Sequence, residues 1–481
     1  MTYARFQTDG VLPALVISGE GSRPASVELV GPRARVPGAL SGRGKTWRAV
    51  LPLVASRWGG PELPLPSGAY RIVVSGVELD EPAPLPVTQL GALRAGVEGF
   101  RVRIGPPIDP AYDSGEGQDA LERRYATRPG GFENAVFFES FYGRNASCNP
   151  LAIERELARR APNVRRYWSV VDLSVSVPEG AIPVVDGSPE WWRARGASRL
   201  LVVNDWLRRR FSRRAGQVVL QTWHGTPLKR LALHRPGFDP RRMAAVVKES
   251  RRWNVLLAQN PYAARILGKA YAFLTRPIWV EGYPRNDVLT NGDGSATRDA
   301  LGIRPGEKVV LYAPTWRDDR DEIVDFLDPA ALASALDAVV LVRGHSRTLQ
   351  PGRDAEGPRV VDVTGFPDTS LLLLVADALV TDYSSVMFDY SVTGKPMFFL
   401  VPDIEHYRGE LRGFYFDLAA HAPGPVVRSQ DELVEVMRGH DPDAYAAKYV
   451  AWQAKFNARD DGHAAERVVS RILDQGFVDR D

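Results

Sequence analysis

The chain has 481 residues, 44% of them hydrophobic and 25% charged, with a formal net charge of +3. This length exceeds one ordinary core, so two or three domains are expected, and the composition is that of a soluble globular protein rather than a disordered or fibrous one. No apolar run approaches the ~18 residues that span a bilayer, the opening MTYARFQTDG lacks the layout of a secretory signal, and a single cysteine, Cys148, rules out an intramolecular disulfide and argues against a cysteine-based metal site.

The working location is therefore expected to be the cytoplasm, with Cys148 a buried structural thiol. In chain order, residues 1–95 read as all-β. LPALVIS, ASVELV, WRAVLPLV and AYRIVVSGVEL are short apolar runs separated by Gly/Pro-rich turns, which suits a small sandwich. Residues 96–130, with DPAYDSGEGQDALERRYATRPGG, are polar and read as a linker. From Asn134 the texture changes. AVFFES, RYWSVVD, AIPVVD, RLLVVND, VVLQTWHG and NVLLAQN alternate with helical stretches such as PLAIERELARR and NPYAARILGKAYA. That pattern predicts a parallel sheet with crossover helices, assigned to 131–295. A second series, VVLYAPTW, VVLVRGHS, RVVDVTG, ALVTDYSS and MFFLVP, starts near Gly302 and is assigned, with the helices that follow it, to 296–481. Two Rossmann-like halves in succession point to a GT-B architecture. Its active site would lie in the cleft between them, because open α/β sheets bind ligands beyond the carboxyl ends of their strands.

The polar motifs fall just after these strands. QTWHGTPLKRL follows VVL, GYPRND follows WVE, APTWRDD follows VVLY, RGHS follows VVLV, and TDYSSVMFDY follows ALV. Small and hydroxyl residues at strand ends let backbone N–H groups approach phosphate oxygens. His224, at a strand-to-helix junction, is a candidate general base, the alternative being a hydrogen-bonded structural histidine. Arg343 and His345 flank Gly344 and are placed to address a diphosphate, the alternative being a surface loop. Ser384 and Ser385 are expected to cap the helix that starts at Val386 and to offer hydroxyls to phosphate. Asp319-Arg320-Asp321 and Asp441-Pro442-Asp443 match a short metal-binding pattern that arises readily by chance. No His/Asp/Glu cluster has metal-ligand spacing, so neither metal nor cofactor is expected.

Basic residues cluster in RRAPNVRR (159–166), LRRRFSRR (207–214) and RPGFDPRR (235–242). They read either as solvated surface or as sites for an anionic lipid or polymer. No nucleic-acid motif accompanies them.

The blocks QTWHGTPLKRL, GYPRNDVL, LYAPTWRDD, VTDYSSVMFDY, GKPMFFLVPDIEHYRGELRGFYFD and PGPVV, with VFFESFYGRNASCNPLAIERE before them, resemble the signature of the CDP-glycerol glycerophosphotransferases, which include teichoic acid primases and polymerases. The resemblance spans about residues 131–440 in the family's order. It implies a GT-B fold and metal-independent transfer of glycerol phosphate or a related alditol phosphate from CDP-glycerol or CDP-ribitol, releasing CMP. The acceptor would be a lipid-linked polyol-phosphate or saccharide, and the enzyme would be peripheral on the inner face of the cell membrane. Carried over residue by residue, the resemblance implies His224 as base with His345 as a second catalytic histidine. The donor site would comprise Trp223, Gly225, Thr226, Pro227, Arg285, Pro314, Thr315, Arg343, Gly344, Ser384, Ser385 and Asp389. The family often has Arg-Met-His-Tyr where this chain has Arg343-Gly344-His345-Ser346. A GT-B glycosyltransferase using a nucleotide sugar and a non-catalytic polymer-binding protein are the alternatives.

Overall fold

The computed structural model describes residues 2–7, 12–43, 45–80, 84–126, 131–207, 211–315, 326–344, 357–406 and 413–480. His345, Ser346, Asp319, Asp321 and Arg208 to Arg210 lie outside the described residues.

Residues 2–105 form two antiparallel sheets. One runs in the order Thr2–Gln7, Ala14–Glu20, Thr46–Pro52, Ala39–Arg43. The other runs Leu85–Leu90, Leu93–Glu98, Arg101–Gly105, Gly68–Val74, Val27–Val30, Arg35–Pro37. Alternation explains the pairing: along Thr46–Pro52, Trp47, Ala49 and Leu51 are buried while the residues between them are not. These join Leu15, Ile17, Leu29, Tyr70 and Ile72 in one core. A separate hairpin, Val54–Ser56 with Glu62–Pro64, projects from this region.

The expected linker at 96–130 needs correcting. Leu93–Glu98 and Arg101–Gly105 pair as a hairpin that buries Val97, Val102 and Ile104. The sheet therefore continues ten residues past the expected boundary at 95, because Arg101 and Arg103 on the outer face mask a regular two-residue period. Helix Gly115–Ala126 follows. Only Leu121 and Tyr125 of it enter the core, so its otherwise polar sequence carries little helical signal.

The next sheet is parallel throughout, in the order Ile182–Val185, Arg165–Val170, Glu133–Glu139, Ser198–Val203, Val218–Gln221, Val255–Ala258, Ile278–Val280. A second parallel sheet runs Val360–Asp362, Ala338–Val342, Lys308–Ala313, Ala378–Thr381, Met397–Leu400, Val426–Val427. Both faces are covered by helices, so strands such as Val255–Ala258 and Met397–Leu400 are buried at every position and read as apolar runs. Crossover helices start at side-chain caps: Ser188, Asp239, Asn260 and Asp328 each accept a backbone N–H one turn ahead.

Helix Ala464–Asp474 packs on the first of these sheets, although sequence order assigned it with the second. Val468, Val469 and Ile472 share a core with Phe138, Trp168 and Leu220. Asn134 and Asp479 exchange two 3.0 Å hydrogen bonds across this join. An amphipathic pattern shows that one helix face will be buried; it does not show against which sheet.

Candidate functional site

His224, Arg285, Thr315, Arg343 and Ser384 each lie within a few residues of the carboxyl end of a parallel strand, as the motif positions predicted. The first two belong to one sheet and the last three to the other.

The histidine turn is built before its chemistry is. Trp223 takes a left-handed backbone (φ 52°), which disfavours any side chain by about 1–2 kcal/mol. Three bonds hold it there. Trp223 N donates to Gln221 Oε1 at 2.9 Å, and Asn149 Nδ2 donates to both Thr222 O and Trp223 O at 3.2 Å. His224 is half-buried, stacked on the Trp223 indole at 4.7 Å and flanked by Phe141 at 5.6 Å. Its Nδ1 lies 2.6 Å from the carbonyl oxygen of Asn204. A carbonyl only accepts, so Nδ1 carries the proton and Nε2 presents its lone pair. Asn204 also fixes Phe141, whose N–H donates to Asn204 Oδ1 at 2.9 Å.

Gly225 brings the two sheets' loops together. A Cβ there would come within 2.6 Å of Ser385 Oγ and 3.0 Å of Ser385 Cβ, so only glycine permits this approach. We expect Gly225→Ala to lower turnover at least about tenfold by forcing Ser385 away, a small-to-large strain of about 1–3 kcal/mol. Adding Ser385→Gly should restore part of the stability without restoring full turnover; a thermal shift of the single and double variants alongside turnover measures this.

Arg285 ties the same seam from below. Its Nη2 and Nε donate to Asp389 Oδ2 and Oδ1 at 2.6 and 3.3 Å, while Nη1 donates to His224 O and to Cys148 Sγ, both at 3.1 Å. Arg285 N donates to Asn149 Oδ1 at 3.2 Å. Burial opposes the guanidinium's charge, but Asp389, Cys148 and Tyr283 outweigh it and hold Arg285 above its ordinary value. Every guanidinium nitrogen thus has a protein partner. Arg285 and Asp389, both expected at the donor, form a buried pair between the two sheets' loops.

On the second sheet, Asp382 accepts Thr315 N at 2.9 and 3.1 Å and fixes the turn after Pro314. Arg343 Nη1 donates to Val363 O and Phe366 O, each at 3.0 Å, and Gly344 N donates to Thr364 Oγ1 at 2.9 Å. Burial pulls Arg343 down to about 10, with Asp368 and Asp362 opposing, so it remains charged near neutrality. Ser385 makes no side-chain cap bond to the helix Val386–Tyr390, and Ser384 Oγ only reaches Val386 N at 3.5 Å. The expected capping is therefore weak or absent, and neither hydroxyl is strongly held by it.

Other singled-out residues also make contacts within the protein. Thr226 is 1% exposed, and its hydroxyl donates to Gln259 Oε1 at 2.6 Å and accepts from Asn260 Nδ2 at 3.1 Å, which is a structural part. Pro227 is buried, with its carbonyl accepting Tyr262 OH at 3.0 Å. Asp441 caps the turn at Pro442–Tyr445, accepting Asp443 N at 3.0 Å. Three residues escaped the sequence reading: Asn149, Asn204 and the Cys148 contact with Arg285. Asn149-Pro150 opening a helix was the visible signal for the first.

This is the build of an α/β protein in which the strand-end loops of two parallel sheets meet. A family model described as CDP-Glycerol:Poly(glycerophosphate) glycerophosphotransferase matches residues 124–474, and the chain belongs to that family. It is 36% identical over 363 residues to a teichoic acid poly(glycerol phosphate) polymerase of Bacillus subtilis (strain 168), covering 70% of this chain and 48% of that one. It is 35% identical over 381 residues to a teichoic acid glycerol-phosphate transferase of Staphylococcus aureus (strain NCTC 8325 / PS 47), covering 71% of this chain and 93% of that one. The chain thus spans about half the length of the first relative and nearly all of the second. A solved structure of a His-to-Asn variant of the wall teichoic acid polymerase TagF, soaked with CDPG, superposes with a TM-score of 0.69 at 30% identity over 75% of this chain and 94% of that one.

Proposed function

We propose that this protein transfers glycerol phosphate from CDP-glycerol, or a related alditol phosphate from its CDP-alditol, to a hydroxyl of a teichoic acid or capsule-type polymer. The carrying observation is His224, with Nδ1 bonded to Asn204 O, which leaves Nε2 to accept a proton, while the next residue, Gly225, lies against Ser385. The acceptor oxygen attacks the β-phosphorus as its proton passes to His224 Nε2. The bond from that phosphorus to the bridging oxygen breaks, and CMP leaves with the electron pair. Ser384, Ser385 and the charge of Arg343 stabilise the phosphoryl oxygens, and most of the rate comes from positioning and fixed electrostatics. His345 is the second histidine of this reading. The family membership and the names of the two relatives support the donor class.

The same reading takes the two parallel-sheet units as a GT-B pair, with the β-region as a separate domain ahead of them. It places the enzyme at the inner face of the membrane, where a lipid-linked acceptor would be found. Among the described residues no helix is long and apolar enough to cross a membrane. Of the basic blocks, LRRRFSRR is partly committed to the fold in its described residues. Leu207 is buried, Phe211 packs on Arg195, and Arg213 donates to Asn254 Oδ1 at 2.6 Å. The 235–242 block, with Phe238 85% exposed beside Arg235 and Arg241, is the better surface for anionic lipid.

The test is to incubate the protein with CDP-glycerol or CDP-ribitol and a lipid-linked acceptor, then follow CMP release and product mass. CMP and a product heavier by one alditol phosphate are expected, with activity largely unchanged by EDTA. Loss with EDTA that Mg²⁺ or Mn²⁺ restores would implicate Asp319 and Asp321. A sugar product would assign a glycosyltransferase instead.

A further inference from the structure

The β-region touches both parallel-sheet units. Near its base, Ser67 N donates to Asp172 Oδ2 at 2.8 Å and Arg33 Nη2 lies 3.7 Å from the same oxygen. Asp172 is 3% exposed and follows the strand Arg165–Val170 of the first unit. The hairpin Val54–Ser56 with Glu62–Pro64 reaches the second unit with its tip. There the Trp58 ring meets Phe366 edge-on at 5.4 Å, and Gly59 sits against Ala300, with room for a Cβ only 3.6 Å from the alanine's. A Cβ on Gly365 would come within 2.9 Å of Arg57 Nη2. The tip is itself firmly shaped. Trp58 and Gly59 are both left-handed (φ 54° and 67°), Gly60 N donates to Arg57 O at 2.9 Å, and Ser56 Oγ donates to Gly60 O at 2.6 Å. A tryptophan held in a left-handed conformation needs such support, and its ring is delivered to one place.

That place is the back of the turn that sets the donor side of the site. Phe366 N donates to Val363 O at 3.0 Å, which closes the turn, and Val363 N donates to Val342 O at 2.8 Å, which joins it to the strand before Arg343. The free carbonyl valences of Val363 and Phe366 hold Arg343 Nη1, and Thr364 Oγ1 holds Gly344 N. Phe366, 6% exposed, therefore has the Trp58 ring on its side chain and the Arg343 guanidinium on its carbonyl oxygen. The family match begins at residue 124, so the hairpin belongs to the part of the chain ahead of the matched region.

We infer that Trp58 is a positioning residue for the CDP-donor side of the site: the hairpin tip braces the 363–366 turn, and that turn aims Arg343 and Gly344. The inference rests on the proposed function for the identity of the donor, and on geometry alone for the brace. It gives the β-region a part in catalysis that needs no substrate contact. It also makes donor affinity depend on how the β-region sits against both units.

The test uses the full chain with Trp58→Ala and Trp58→Phe, read by hydrogen exchange and by steady-state kinetics. Trp58→Ala is expected to speed exchange of the amides in 338–344 and 360–366 about tenfold, the scale of one lost aromatic pair, while those of Val218–Gln221 do not change. It should raise KM for CDP-glycerol by about five- to tenfold with kcat altered less than about twofold, the pattern of lost donor binding. Trp58→Phe, which keeps an aromatic ring, should recover most of both, and Trp58→Leu replaces Trp58→Ala if the latter does not fold. Unchanged exchange in 360–366 overturns the brace. Faster exchange with an unmoved KM overturns the positioning role and leaves packing alone. If the wild type releases no CMP from any CDP-alditol, the proposed function fails while the exchange comparison still decides the brace.

Discussion

His224→Ala is expected to lower kcat at least about 10²-fold, the low end for losing a general base, with the circular dichroism spectrum and melting curve nearly unchanged. The imidazole makes one hydrogen bond to the described protein, to Asn204 O, and otherwise packs between the Trp223 and Phe141 rings. Removing it leaves the turn's other ties in place: Asn149 to Thr222 O and Trp223 O, and Gln221 to Trp223 N. The loss should fall on kcat rather than on KM for the CDP-alditol, because in the proposed reaction Nε2 takes the acceptor's proton and does not hold the donor. Near-normal kcat in the purified variant would remove His224 from the mechanism and return it to a structural histidine.

The second large effect is at the seam. Arg285→Met leaves the Asp389 carboxylate, 4% exposed, without its partner, and removing one member of a buried pair costs about 3–5 kcal/mol. Burial already pushes the Asp389 carboxyl up, and Arg285 beside it pulls the other way. Without Arg285 the folded-state pKa rises further above the unfolded one. A group shifted in that direction disfavours folding as pH rises through the ordinary carboxylate range. The stability deficit of Arg285→Met against wild type should therefore grow as pH rises past the already raised Asp389 value of the wild type, and shrink in acid. Denaturant midpoints of both proteins from acid to neutrality measure it. A deficit that is constant with pH would mean that Asp389 is not the group left exposed to the loss. The double variant Arg285→Met, Asp389→Leu should regain much of the stability while turnover stays low, because His224 O and Cys148 also lose their donor.

The sequence carried the strand ends well and the contacts between them poorly. Buried parallel strands are continuous apolar runs, so VVLQ, VVLYA, AVVLV and ALVT could be read directly, and the polar motif after each had to stand at a strand's carboxyl end. The closeness of Gly225 to Ser385, 160 residues apart in the chain, could not be read from spacing; the family resemblance grouped them without saying how. Side-chain commitment was hidden for the same reason. Arg285, Thr226 and Asp389 look like ligand-binding groups by type, yet their polar atoms are taken by partners that are distant in sequence, from Cys148 to Gln259. The hairpin at 93–105 and the helix at 115–126 were missed because one face of each is rich in arginine, glutamate or aspartate, which blurs a period marked by five buried apolar residues in the hairpin and by only two, Leu121 and Tyr125, in the helix.

The return of helix Ala464–Asp474 to the first parallel sheet sets an order on the birth of the protein. During synthesis the strands from Glu133 to Val280 leave the ribosome well before their last covering helix, because the whole second unit is made in between. Until residues 464–478 arrive, Phe138, Trp168 and Leu220 lack the apolar partners Val468, Val469 and Ile472. The nascent first unit must wait half-finished, with an oily face open to wrong partners, while its neighbour folds. Ribosome-stalled chains ending near residue 456 should accordingly recruit chaperone and resist release in native form, whereas chains extended past Val478 should let both units close together.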